Sequence, residues 1–173
     1  MQDFLEILKI LIPAVAVFAA TYFIVKSFLN NEQRRRELEI RKSMQGTVTP
    51  LRLQAYERVI IFLERIHPNN LVLRVNVPGM TAQQLRSELI KTIRSEYEHN
   101  LSQQVYMSAG AWELVKTAKE ETLKLVNIAS TKVADESRSQ DLAQIILQIS
   151  SSVDKMPGQF AIDFIKKEVY KLF

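Results

Sequence analysis

The chain has 173 residues, 47% of them apolar, with four glycines, no cysteine and a formal charge of +4. Those values fit one compact helical domain plus an anchor, and they exclude a disulfide framework, a thiolate metal site and a cysteine nucleophile. The small positive charge is shared about evenly between residues 1–45 and 46–173. The bulk of the chain therefore lacks the concentrated basic face that a phosphate backbone requires, and nucleic acid is not an expected partner.

Residues 1–29 read as a transmembrane anchor. Ile10 to Val25 contains no charged residue, and Phe4 to Leu29 is interrupted only by Glu6, Lys9 and Lys26 among charged types. A helix of about 20 residues spans the ~30 Å hydrocarbon layer if Lys9 and Lys26 snorkel toward the interfaces. Pro13 lies near one end, where a lost N–H is tolerated, and Tyr22 and Phe23 lie near the other, a position aromatics favour. A cleaved signal peptide starts basic, whereas Asp3 and Glu6 are acidic here and apolar Tyr22 to Val25 follows the small pair Ala19-Ala20, so a retained anchor is the reading. Lys26, Arg34, Arg35, Arg36, Arg41 and Lys42 all follow the apolar run. Positive residues stay inside, which places the N-terminus out and the rest of the chain in the cytoplasm, at a bacterial inner membrane.

Residues 30–48 form a basic juxtamembrane linker, helical by its i,i+4 pairs Glu32–Arg36 and Glu37–Arg41 in the favourable acidic-first order. Arg34, Arg35, Arg36, Arg41 and Lys42 are candidates for an anionic-lipid surface contact, at up to ~1 kcal/mol each. Three interspersed glutamates offset part of that attraction, and a solvated linker stands beside it as the plainer reading.

Residues 49–173 read as an all-α helical bundle of about five helices in up-and-down order. Gly46 to Pro50 predicts a break, with Thr49 as N-cap and Pro50 at the first helical position. The next helix runs to about His67, stopped by Pro68, with Leu53, Tyr56, Val59, Ile60, Leu63 and His67 on one arc. Leu71 to Val75 is either a short helical turn or an extended connection. Thr81 with Gln84 makes a capping box for a helix running to about Val105, its apolar arc holding Leu85, Leu89, Ile93, Tyr97 and Leu101. Ser108 caps a long helix ending near Glu136, polar Ser137 to Gln140 turns the chain, and Leu142, Ile145, Ile146, Ile149 and Val153 mark the next helix. Met156-Pro157-Gly158 precedes the last, carrying Ala161, Phe164, Ile165, Val169 and Leu172. These apolar faces suffice for one core, so no cofactor is needed to fold it.

Two Glu-x-x-His sequences carry the one chemical constellation of note. Glu64 with His67 and Glu96 with His99 use both histidines of the chain, and paired Glu-x-x-His motifs build di-metal sites in four-helix bundles. Against this, Pro68 biases His67 out of helical geometry, His99 points about 60° away from the arc of Glu96, and Glu57, Glu113, Glu120 and Glu121 offer no clear further ligand. Glu96 and Asn100, at or inside an apolar arc, read instead as a structural polar network reaching another helix, with Tyr56 and Arg58 as candidate partners. Trp112 reads as the first core layer of its helix, ahead of an exposed partner-binding anchor. No phosphate-binding glycine loop exists, and no serine, Ser150-Ser151-Ser152 included, sits in a nucleophile elbow.

Thr49 to Arg58, Glu96 to Tyr106, Ala111-Trp112-Glu113 and Ala118-Lys119-Glu120-Glu121 together resemble an uncharacterised family of single-pass, membrane-anchored helical proteins from Bacteroidota-type bacteria. The likeness spans nearly the whole chain. It implies the architecture and a bacterial origin, and it carries over no catalytic residue. The sequence thus points to a membrane-tethered interaction or scaffold module, its partners being membrane lipid and a protein or a second copy. A helical-bundle metalloprotein and an anionic-lipid sensor are the alternatives.

Overall fold

The structure, a computed structural model, describes residues 2–171, with the side chains of residues 2–10, 12–14, 16, 41, 44 and 45 left aside. Six α-helices follow one another: α1 (Gln2–Arg65), α2 (Pro68–Val75), α3 (Ala82–Asn100), α4 (Ala109–Ser130), α5 (Ser139–Ser152) and α6 (Pro157–Tyr170). A 3-10 segment, Leu101–Tyr106, separates α3 from α4. No strand forms among the described residues, which makes the protein all-α. The chain divides into two compact units, residues 1–49 and 50–173.

In the first unit α1 carries exposed apolar side chains, among them Val15, Val17, Phe18, Phe23, Ile24 and Phe28. Among the described residues no helix is long and apolar enough to cross a membrane. Of the anchor expected over residues 1–29, the side chains of residues 1–10, 12–14 and 16 lie outside those described. The break expected at Gly46 to Pro50 does not occur, because α1 is helical throughout this stretch. Pro50 removes the N–H that would reach back four residues to Gly46 and its ring crowds the Gly46 carbonyl, yet both flanks remain helical.

In the second unit Tyr56, Val59, Phe62, Leu63 and Ile66 turn inward together with Leu85, Leu89 and Ile93 of α3, Val115 of α4, Leu142 and Ile146 of α5, and Ile165 of α6. The end of α1 runs antiparallel to α6, since Tyr56 meets Glu168 while the Leu63 carbonyl lies against Gly158. Antiparallel packing also joins α3 to α4, where Tyr97 stacks on Trp112 at one end and Arg86 donates to Asn127 at the other. Six helical segments build this unit rather than about five, because Leu71 to Val75 is helical. Pro68 opens α2 after His67, whose backbone is extended (φ −56°, ψ 130°), as a residue before proline prefers.

Two helix ends fall earlier than the periodicity predicts. The stretch to Val105 is one helix only as far as Asn100, whose side-chain amide donates to the Glu96 carbonyl at 2.8 Å. That carbonyl is the one the Asn100 N–H would use in a continuing α-helix, and the chain tightens into the 3-10 turn. Likewise α4 stops at Ser130, where the hydroxyls of Ser130 and Thr131 donate to the carbonyls of Asn127 and Ile128. The freed segment then serves the start of α3. The N–H groups of Ala82 and Gln83 donate to the carbonyls of Ser137 and Asp135, that of Gln84 to the Thr81 hydroxyl, and that of Thr81 to the Gln84 side-chain oxygen. All four otherwise orphaned donors of that helix end are satisfied, and the Gln84 side chain closes the capping box.

Candidate functional site

Among the described residues of the second unit, the most connected polar group is the carboxylate of Glu168 on α6. It lies at the edge of the apolar arc, seven residues after Ala161 and three after Ile165. Tyr56 donates to Oε1 at 2.5 Å, the Ser108 N–H to the same oxygen at 3.2 Å, and the Ser108 hydroxyl to Oε2 at 2.5 Å. Arg52 stands 3.9 Å from Oε1 and donates both to the Tyr56 hydroxyl at 3.1 Å and to the Tyr106 carbonyl at 3.2 Å. Ser108 in turn caps α4 by accepting from the Ala111 N–H. One carboxylate thus ties the last part of α1, the 3-10 segment, the start of α4 and the end of α6.

Burial pushes the Glu168 carboxyl up. The hydrogen bonds from Ser108 and Tyr56 and the charge of Arg52 outweigh it and hold the group below its ordinary value. For Tyr56, burial and the hydrogen bond to the Glu168 carboxylate raise the phenol against the opposing pull of Arg52. Both shifts favour the neutral phenol and ionised carboxylate that the network needs. The Ser108 hydroxyl thus donates its hydrogen bond to a carboxylate and gives its oxygen to a helix cap.

A second cluster surrounds Glu96, whose Oε1 accepts from Arg65 Nε at 2.7 Å and lies 2.6 Å and 3.6 Å from Nη2 of Arg65 and Arg74. Arg74 also donates to the Arg65 carbonyl. Glu96 therefore reaches across to α1 and α2, but through Arg65 and Arg74, since Tyr56 is engaged by Glu168 and Arg58 faces a shallow groove beside the 3-10 segment. Asn100 is buried yet bonds within its own helix rather than across to another.

The remaining sequence candidates do not converge. Glu64 and His99 are exposed, His67 caps no group with its side chain, and Glu96 is held by two arginines. Among the described residues no group of three or more His, Asp or Glu side chains is placed to hold a metal ion. In the first unit Arg34, Arg35, Arg36 and Lys42 are all exposed, and Arg36 pairs with Glu32 at 3.2 Å. The Arg41 side chain lies outside the described residues. Trp112 is buried and stacks on Tyr97 at 5.7 Å, over which Lys119 places its ammonium at 4.3 Å from the ring centre.

Sequence reasoning missed Glu168, Arg65 and Arg74. An acidic residue between lysines looks solvated, and the signal available was its spacing from Ala161 and Ile165. The two arginines become visible only when α1 and α2 are brought beside α3.

Fold and polar networks together define an all-helical bundle protein. The chain belongs to a family of unknown function (DUF7935), whose profile matches residues 2–172. No curated protein and no solved structure matches it.

Proposed function

We propose that the protein is a membrane-tethered module that works by docking a partner, with residues 1–29 as a single-pass anchor and residues 49–173 on the cytoplasmic side of a bacterial inner membrane. The observation that carries this reading is the uncharged run Ile10 to Val25, together with the exposure of Val15, Val17, Phe18, Tyr22, Phe23, Ile24 and Val25 on all sides of one helix. Apolar side chains on every side of a helix call for a hydrocarbon or protein surround rather than water. The positive residues that follow the run, and the few before it, support the orientation. In the second unit the carboxylates with the most partners, Glu96 and Glu168, hold helices together, which favours binding over catalysis.

Native mass spectrometry of the full-length protein, gently extracted without chelator, tests the reading. A metal-free assembly containing a stoichiometric second protein is the expected result. A bare monomer would count against docking, and a metal-loaded species would redirect attention to Glu64, His67, Glu96 and His99.

A further inference from the structure

The charges of the juxtamembrane segment are sorted by helix face. Because α1 is helical from residue 30 to 49, each residue turns by about 100°. On that projection Arg34, Arg35, Leu38 and Lys42 share an arc of about 100°. Glu32, Glu37 and Glu39 all lie outside it, and Arg36 lies opposite. Among the described residues the ion pair in this segment joins Glu32 to Arg36, both on the acidic side. Among the described residues no ion pair joins Arg34, Arg35 or Lys42 to a glutamate, although Glu37 and Glu39 border the arc at i+3 from Arg34 and i+4 from Arg35, and exposed Leu38 (59%) stands within it. Arginine and lysine flanking one apolar position at i, i+4 and i+8 form a strip about 12 Å long that winds about 80° around the helix.

We infer that this strip docks an acidic helical segment of a partner protein lying alongside α1, an inference that rests on the membrane-tethered reading above. Charge complementarity selects the occupant. A second copy in parallel would oppose two basic strips, which like-charge repulsion disfavours. An anionic lipid surface matches the charge but not the reach. Arg34 lies about 8 Å and Lys42 about 20 Å beyond Leu29, the end of the anchor, along the helix, while the surface potential fades over about 8 Å at physiological salt. Only the near end of the strip would feel lipid, whereas an adjacent acidic helix engages all of it and covers Leu38.

The test uses the full-length protein in its own membranes, with photoreactive benzoylphenylalanine placed singly at Leu38, Ile40 or Val105. Ile40 is as exposed as Leu38 (59%) and lies about 160° around the same helix, which makes it the matched control. Val105 is exposed on the second unit. The expected result is an adduct from position 38 and not from 40. Its peptide should carry Asp or Glu at helical spacing, and its yield should fall on the order of tenfold in an R34E/R35E/K42E variant. A lipid adduct at 38, an adduct to a second copy, equal yields at 38 and 40, or no dependence on the three charges would overturn the inference. Adducts from 105 alone would overturn it while leaving the docking reading standing; no adduct at any position would remove both.

Discussion

Phe18 and Phe62 are the same residue type on the same helix, yet Phe18 is 74% exposed and Phe62 is 1% exposed. The difference is supplied by neighbours. Around Phe62 the second unit provides Tyr97, at 6.1 Å between ring centres, and the remainder of a shared core. Along the first unit Val17, Phe18, Phe23 and Phe28 have no such cover from their own unit. An aromatic side chain gains most of its stabilisation by leaving water, so the two units reach that end by different means. The second buries its apolar residues internally, and the first presents them outward.

The sharpest way to break this contrast is to remove one apolar side chain from each unit. Leu89→Ala, at a fully buried site on α3, should cost about 2–5 kcal/mol in urea unfolding. Phe18→Ala should leave the unfolding midpoint of the helical domain within about 0.5 kcal/mol of the parent. Equal losses would mean that the exposed run contributes to the same core.

Glu168→Ala comes next. It leaves the Tyr56 and Ser108 hydroxyls and a half-buried Arg52 short of partners, at an expected cost of about 2–3 kcal/mol, readable by the same melt. A loss below that of an exposed carboxylate would show that the network is not a structural tie.

The same carboxylate sets a pH dependence. Its folded value lies below the ordinary 4.5, so its stabilisation is complete above that value and is lost as pH falls through the folded one. Tyr56 is raised above 10.0, so its contribution holds below 10.0 and disappears as pH climbs through its folded value. A stability plateau between these limits should lose its acid limb in part in Glu168→Gln; an unchanged acid limb would assign it to other groups.

Glu96→Gln should cost less, about 0.5–1 kcal/mol, because Arg65 and Arg74 remain partly solvated and water compensates them. The smallest effect belongs to Arg36→Gln. Its pair with Glu32 is exposed on both sides, and a change of about 0.3–0.5 kcal/mol in helix stability is expected by circular dichroism.

Much of the second unit was legible because its signals are local. The Thr81 capping box, the Ser108 cap, the stop ahead of Pro68 and the inward face of Tyr56, Val59 and Leu63 all follow from residues within a turn or two of one another. What local pattern misjudged were the outcomes of competition. Gly46 to Pro50 carries every mark of a break, yet one missing hydrogen bond and a crowded carbonyl do not stop a helix continued on both sides. Asn100 looked like a cross-helix contact and instead took a carbonyl from its own ladder, ending the α-helix there. The partners of Glu96 and Glu168 lie 22 and 31 residues away, or 60 and 112, in sequence, and no periodicity spans such separations. A four-residue Glu-x-x-His motif likewise carries no information about which helix ends face each other.

The contrast between the two units is tested most directly by cysteine accessibility, for which the chain is already suited because it contains no cysteine. Phe18→Cys and Arg36→Cys would be prepared singly in full-length protein and exposed in sealed membrane vesicles to a membrane-impermeant maleimide. The membrane-tethered account predicts that position 18 stays unlabelled in either vesicle orientation, while position 36 is labelled only when the cytoplasmic face is outermost. Labelling of both positions at similar rates, irrespective of orientation, would contradict it.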